Sequence, residues 1–333
     1  MNLIELDASY NKKINNVSFM KNLKKLNASN GCEIDQNGIS GLDLIELNAS
    51  KNKKIKNVSF MKNLKKLDAG YDCGIDQKEI RRLDLIELNV SSNKKIQNVL
   101  FMKKLKKLVA KNICGIDQNS VLGLDLIKLD VSDNPYVYDV SFMKNLKILY
   151  AAANRHLFLD NECGIDQKGI KGLDLIKLNI NDNENIKNIT FMKNLKKLYA
   201  CGDLCKIGHR GIRGLDLIEL RARDNVNIKK VSFMKNLKIL DASGPYCAID
   251  QNGIIGLDLI ELDVEMNGKI NDVSFMKNLK KLDTCHYGGI DQKGIQGLDL
   301  IELNICDNPD ITDVTFMKNL KRLESCTKCG NCL

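Results

Sequence analysis

The stretch that decides the fold is LIELNASKNKKI, Leu44–Ile55. A strand through its middle sends alternate side chains to opposite faces, so Leu47 and Ala49 point inward while Glu46 and Asn48 point out. Asn52 falls where the chain turns off the strand. Buried there, its amide satisfies backbone groups that would otherwise cost free energy unpaired.

The same grammar runs through the chain. Blocks aligned on LIEL and its variants start at Leu3, Leu44, Leu85, Leu126, Leu175, Leu217, Leu259 and Leu300, at spacings of 41, 41, 41, 49, 42, 42 and 41 residues. Each block splits again, because LKKL repeats the pattern of LIEL. The two leucine columns hold in all sixteen units. Asparagine holds its column in every first half-block: Asn11, Asn52, Asn93, Asn134, Asn183, Asn225, Asn267 and Asn308. Cysteine takes that place in second half-blocks at Cys32, Cys73, Cys114, Cys163, Cys205, Cys247 and Cys329, with Gly288 in the seventh block.

L-x-x-L-x-L-x-x-N/C on a period of 20–21 residues resembles the leucine-rich repeat over nearly the whole chain. The first half-blocks are similar to the short repeats of phosphatase-regulatory and internalin-type proteins. The second are similar to the cysteine-containing repeats of F-box proteins. A departure is the sixth position, often alanine, which implies a thin core under the strands. The resemblance implies an α/β repeat solenoid, a right-handed leucine-rich-repeat horseshoe. Its parallel β-sheet would line the concave face, with short 3-10 or helical turns on the convex face. Residues 1–333 would form a single solenoid of eight double repeats of ~41 residues, with an 8-residue insertion near 154–161.

The turns are legible in part. Asp76 precedes QKEIRRL, where Ile80 and Leu83 sit three apart, so one helical turn capped by Asp76 is expected. VSFMKNLKKL, Val17–Leu26, recurs letter for letter at Val58–Leu67 and Val273–Leu282. Its VSFMKNL part is too short for a stable α-helix and reads as a 3-10 turn or extended chain. Eight of the nine phenylalanines share one column here: Phe19, Phe60, Phe101, Phe142, Phe191, Phe233, Phe275 and Phe316. They are expected to stack as a buried spine, each contributing roughly 1.5–3 kcal/mol. Truncation of Phe142 would then cost about 3–5 kcal/mol. One block cannot bury its face alone, so the copies must stack.

The chemistry of enzymes is scarce. There is no glycine-rich loop ending in Gly-Lys-Ser/Thr and no H-E-x-x-H. His156, His209 and His286 lie in different blocks. No enzyme activity and no cofactor are expected. Column cysteines recur once per two strands, roughly 10 Å apart, beyond the ~7 Å that a disulfide spans; they read as reduced thiols. Cys285, Cys306 and Cys326 instead share the seventh position of successive units, and Cys329 and Cys332 follow in CTKCGNCL. Cys285, Cys306, Cys326 and Cys329 are therefore candidate zinc ligands. The competing reading, a repeat cut off mid-unit with no metal, is the expectation.

No leader and no apolar run of membrane-spanning length is visible. Abundant Lys, Asn and Ile point to an AT-rich genome, such as that of a large DNA virus or a protist. The expected home is the cytoplasm, that of the host if the source is viral.

The net charge is +9, which permits an acidic partner. On the strands the third position alternates sign: Glu5, Lys25, Glu46, Lys66, Glu87, Lys107. Paired across the ladder, these charges give the lysines a structural role and disfavour nucleic acid. The middle breaks the rule. Lys107 meets Lys128 and Lys177 meets Lys197, with Ile148 between the pairs. The fifth position, mostly Asp or Asn, becomes Val109, Tyr150, Tyr199 and Arg221. Tyr and Arg are favoured interface anchors. The candidate partner site is thus Lys128, Ile148, Tyr150, Lys177, Asn179, Lys197, Tyr199, Arg221 and Arg223, with Phe158 of the insertion closing over it. The like-charge neighbours are expected to cost stability until a partner neutralises them.

The expected function is a non-enzymatic protein-interaction scaffold that binds a partner with an acidic surface on the concave face. The alternatives are a basic nucleic-acid-binding solenoid, or a substrate-receptor or regulatory subunit of a ubiquitin-ligase or phosphatase complex. The consensus runs from Leu3 to mid-unit at Leu333, so end-to-end self-association through bare strand edges is also expected.

Overall fold

The computed structural model describes residues 3–153 and 162–325. The chain divides into two compact units, Met1–Leu173 and Asp174–Leu333. In the first, β1 is Glu5–Asp7, β2 Lys25–Asn27, β3 Glu46–Asn48, β4 Lys66–Asp68, β5 Glu87–Asn89, β6 Lys107–Val109, β7 Lys128–Asp130 and β8 Ile148–Tyr150. In the second, β9 is Lys177–Asn179, β10 Lys197–Tyr199, β11 Glu219–Arg221, β12 Ile239–Asp241, β13 Glu261–Asp263, β14 Lys281–Asp283, β15 Glu302–Asn304 and β16 Arg322–Glu324. Within each unit successive strands pair in parallel with no register slip, so Leu26 meets Leu47 and Leu47 meets Leu67, as Leu240 meets Leu262. Only the central leucine of a strand must face inward; its two neighbours lie on the other face, mostly half-buried or exposed, with Glu219 the buried exception.

The asparagine column locks one turn to the next. Asn52 Nδ2 donates to the carbonyl oxygens of Ala28 and Ile34, both in the preceding half-block, at 2.8 and 3.0 Å. Its Oδ1 accepts from Lys54 N at 2.9 Å, closing its own turn. Asn93, Asn134, Asn225, Asn267 and Asn308 repeat the reach backwards, with Nδ2 on Ala69, Ala110, Ala200, Ala242 and Thr284 carbonyls. The cysteine column plays the weaker version that its chemistry allows: Cys73 Sγ lies 3.1 Å from the Ala69 carbonyl. Among the described residues, nine cysteines are free thiols.

The turns opposite the sheet carry a correction. In Val58–Leu64 the amide of Met61 bonds the Val58 carbonyl and that of Leu64 bonds the Met61 carbonyl, at 3.0 and 3.1 Å. These are successive i to i+3 turns, whose period of three turns Val58, Met61 and Leu64 inward together. All three are buried, as are Val140, Met143 and Leu146. Phenylalanine falls one place short of methionine and lies on the rim. Phe19 is 66% and Phe60 37% exposed, and Phe142 is half-buried. The spine is therefore methionine, not phenylalanine. The helical turn at Gln77–Ile80 matches its expectation: Asp76 accepts from Lys78 N at 2.8 Å. Among the described residues no helix is long and apolar enough to cross a membrane.

Urea unfolding of Met143→Ala and Phe142→Ala checks this assignment. Loss of the fully buried methionine should cost about 2–5 kcal/mol, and loss of the rim phenylalanine clearly less. Equal losses, or the reverse order, would reinstate the aromatic spine.

Candidate functional site

Along most of the sheet face the charges cancel in the ladder. Lys25 lies 3.6 Å from Glu5, Lys66 3.1 Å from Glu46 and Lys281 3.2 Å from Glu302. All are solvent-exposed, so each pair contributes little beyond fixing side-chain direction.

The irregular positions behave differently, and each unit has its own. In the first, Lys107 does stand opposite Lys128, and Lys128 opposite Ile148. The two lysines turn apart. Lys107 reaches Glu87 at 2.7 Å, while the Lys128 ammonium sits over the Tyr150 ring, 5.3 Å from its centroid.

In the second unit Lys177 stands opposite Lys197, and Tyr199 opposite Arg221. Glu219, directly opposite Lys197 on the next strand, organises the group. Its Oε2 takes Lys197 Nζ and its Oε1 takes Arg221 Nε, both at 2.9 Å. Its side chain is 4% exposed, against 32% for Glu46 and 40% for Glu261 in the same column. Burial pushes its carboxyl upward, but the bonds from Lys197 and Arg221 outweigh that and hold it below the usual range. Tyr199 lies between two cations: Lys177 Nζ is 4.3 Å and the Arg221 guanidinium 5.3 Å from its ring centroid. Lys177 also donates to the Tyr199 hydroxyl at 3.1 Å.

The expected like-charge cost between Lys177 and Lys197 is thus met inside the protein, by Tyr199 and Glu219, and needs no partner. Of the candidate residues, Lys177, Lys197, Tyr199 and Arg221 come together. Arg223 turns away to Glu265, at 2.7 Å. Asn179 serves its own turn, accepting from Asn181 N at 3.0 Å. Phe158, Cys326 and Cys329 lie outside the described residues. Sequence reasoning passed over Glu219, because its letter and column match every other ladder glutamate. The signal available was its position between Lys197 and Arg221.

Beyond this cluster Asp241, Asp263 and Asp283 stand opposite one another on β12, β13 and β14. Burial, then the charges of Asp241, Asp283 and Glu265, push the Asp263 carboxyl up to about 7. Just past these strands, Glu265, Cys285 and His286 bring their donor atoms within 4.8 Å of one another.

A third feature lies on the turn side of the second unit. In other blocks a glutamine clamps the next block: Gln77 Oε1 accepts from Gln97 N and Asn98 N, both at 2.8 Å, and Gln251 accepts from Asn271 N and Asp272 N at 3.0 Å. His209 occupies this place in the fifth block, where KIGHRGI replaces GIDQKGI. The matching amides, Lys229 N and Lys230 N, have no protein acceptor among the described residues. Arg210, Arg213, Lys230, Phe233 and Lys235 border an open groove of about 700 Å³ there.

No protein-family model matches the sequence, and no curated protein matches it. Solved structures do. An internalin from Listeria monocytogenes is 15% identical over 96% of this chain and 86% of its own, at a TM-score of 0.46. The TLR13–ssRNA13 complex gives 17% identity over 97% of this chain, at a TM-score of 0.49. This chain spans 65% of that one. InlJ of Listeria monocytogenes, whose functional domain includes a cysteine ladder, gives 16% identity over 92% of this chain, at 0.46. The registered strands, the leucine columns and the backward-reaching asparagines decide the architecture from this chain alone. The fold is a leucine-rich-repeat solenoid.

Glu219→Gln tests the organising carboxylate. A depressed folded pKa stabilises above the ordinary carboxyl range and stops doing so as pH falls through the folded value. The variant should lose about 1–2 kcal/mol at pH 7, since its cationic partners are half exposed. Its difference from the native protein should close toward pH 3. A loss that does not change with pH would remove the ionic role.

Proposed function

We propose that the chain is a non-enzymatic protein-interaction scaffold whose partner docks on the sheet face of the second unit, at Lys177, Tyr199 and Arg221. The observation that carries this reading is the preorganised group itself. Glu219 fixes Arg221, and two cations hold Tyr199 upright, so little side-chain freedom remains to be lost on binding. Arg221 is half exposed despite its ion pair, leaving guanidinium edge for an acidic side chain of the partner. The buried thiols suit a reducing compartment, so the cytoplasm is the proposed location.

Affinity capture with mass spectrometry names the partner, and calorimetry on the purified pair tests the site. Tyr199→Ala with Arg221→Ala should weaken binding by about 2 kcal/mol or more. Lys177→Glu should slow association most at low salt. Lys25→Ala and Lys281→Ala, in the regular ladder, should change nothing. A loss in the ladder variants as large as in the central ones would move the site elsewhere.

A second reading, an oligonucleotide on the turn side, is favoured by the groove at Arg210, Arg213 and Lys230 with its two unclamped amides. Backbone amides and guanidinium groups together suit phosphate, and Phe233 offers a ring for a base. Arg210→Ala with Arg213→Ala should then lower the slope of log affinity against log salt by about 2. An unchanged slope would discard this reading.

A further inference from the structure

The seventh repeat position, two residues past each strand, is serine in six of the sixteen units: Ser9, Ser29, Ser50, Ser91, Ser132 and Ser243. In the second unit it becomes Glu265, Cys285 and Cys306 on consecutive strand exits. His286 follows Cys285 in a left-handed conformation, φ 52°. That turn is common to the repeat, since Asn30 and Tyr71 adopt it in the same place. It folds the imidazole back over its neighbour, so that His286 Nδ1 lies 3.1 Å from Cys285 Sγ and 3.3 Å from Glu265 Oε1.

The geometry points to a binding site for one divalent transition-metal ion of the zinc class, held by Cys285 Sγ, His286 Nδ1 and Glu265 Oε1. Ligand atoms around a tetrahedral zinc ion lie about 3.5 Å apart, given bonds of about 2.0–2.3 Å. The imidazole nitrogen is already near that spacing from both other donors, at 3.1 and 3.3 Å, and all three atoms lie within 4.8 Å of one another. A thiolate, an imidazole and a carboxylate form a set that favours zinc over magnesium or calcium, which prefer oxygen alone.

The surroundings supply an outer shell as well. Glu265 turns its second oxygen, Oε2, to Arg223 at 2.7 Å, which aims Oε1 at the site. The other imidazole nitrogen of His286, Nε2, faces the Asp307 carboxylate, with Oδ2 at 3.8 Å. Carboxylate support behind a ligating histidine fixes its tautomer and raises its basicity. Asp283 Oδ1 holds the Cys285 amide at 3.1 Å and keeps the thiol in place. On binding, Cys285 loses its thiol proton to solvent. Two anionic ligands then balance the dication, and the filled site is neutral. Three protein ligands leave a fourth position for water or for a side chain of a bound protein.

The sequence led to the expectation of no metal, with Cys285, Cys306, Cys326 and Cys329 as the competing candidate, and this donor set differs from that candidate. It shares Cys285 with that set but takes its partners from the strand before and the residue after. It is also independent of a partner at Tyr199 and Arg221.

The test uses the full chain, reduced and dialysed against zinc. Elemental analysis should give one zinc per chain for the native protein and less than a tenth for Cys285→Ser and for His286→Ala. Cobalt substitution should give a thiolate-to-metal charge-transfer band that Cys285→Ser abolishes. Zinc should raise the Tm of the native protein but not of these variants, whose metal-free melting shows that they fold. Arg223→Ala, which leaves the ligands intact, should weaken zinc 10–100-fold, the range for outer-shell losses. Native protein without stoichiometric zinc would overturn the site. So would full retention by Cys285→Ser and His286→Ala, which would place the ion on other cysteines.

Discussion

The structure depends on one amide. A strand three residues long makes too few hydrogen bonds to hold itself, and the chain must leave it at once through a buried turn. The carbonyls exposed by that turn, such as Ala28 and Ile34, would be unpaired in a dry interior. Asn52 closes them from the next turn while accepting from its own Lys54 amide. No other uncharged side chain offers both a donor and an acceptor at that reach, except the longer glutamine. Because the bonds cross from one turn to the next, no turn is satisfied by itself. Stacking follows from hydrogen-bond satisfaction as much as from burial of leucine.

Once each turn is locked this way, the outer surfaces are free to vary, and they vary where function belongs. The regular ladder of Glu and Lys needs nothing further. At Glu219 the same letter is drawn inward because Lys197 and Arg221 flank it, and the pair of cations then frames Tyr199. Removing one partner of so buried a group costs more than removing an exposed ladder residue. The same logic separates Glu265 from its serine counterparts: Arg223 reaches it from two strands away and aims its free oxygen toward His286.

The methionine and phenylalanine columns show how small a geometric change redirects a core. Both are apolar, adjacent and repeated eight times. Hydrophobicity alone favours the larger ring. The turn has a period of three, however, and its phase is set by the buried valine before it and leucine after it. Methionine is in phase with them; phenylalanine is not. Its ring is left partly in solvent on the rim.

Sequence alone determined the repeat, the inward leucines, the parallel register and the Asp76 cap. All are local or periodic, and each follows from spacing that any copy displays. It also marked Lys177, Lys197, Tyr199 and Arg221 as departures from the repeat. The tertiary structure decided what those departures do. Which carboxylate becomes buried, which lysine turns to a ring rather than to solvent, and which histidine meets which cysteine depend on side-chain direction across strands about 20 residues apart. Column arithmetic gives neighbours but not rotamers. The glutamine clamp missing at His209 was visible as a changed letter, yet its consequence for the Lys229 and Lys230 amides appears only when the next turn is laid against it.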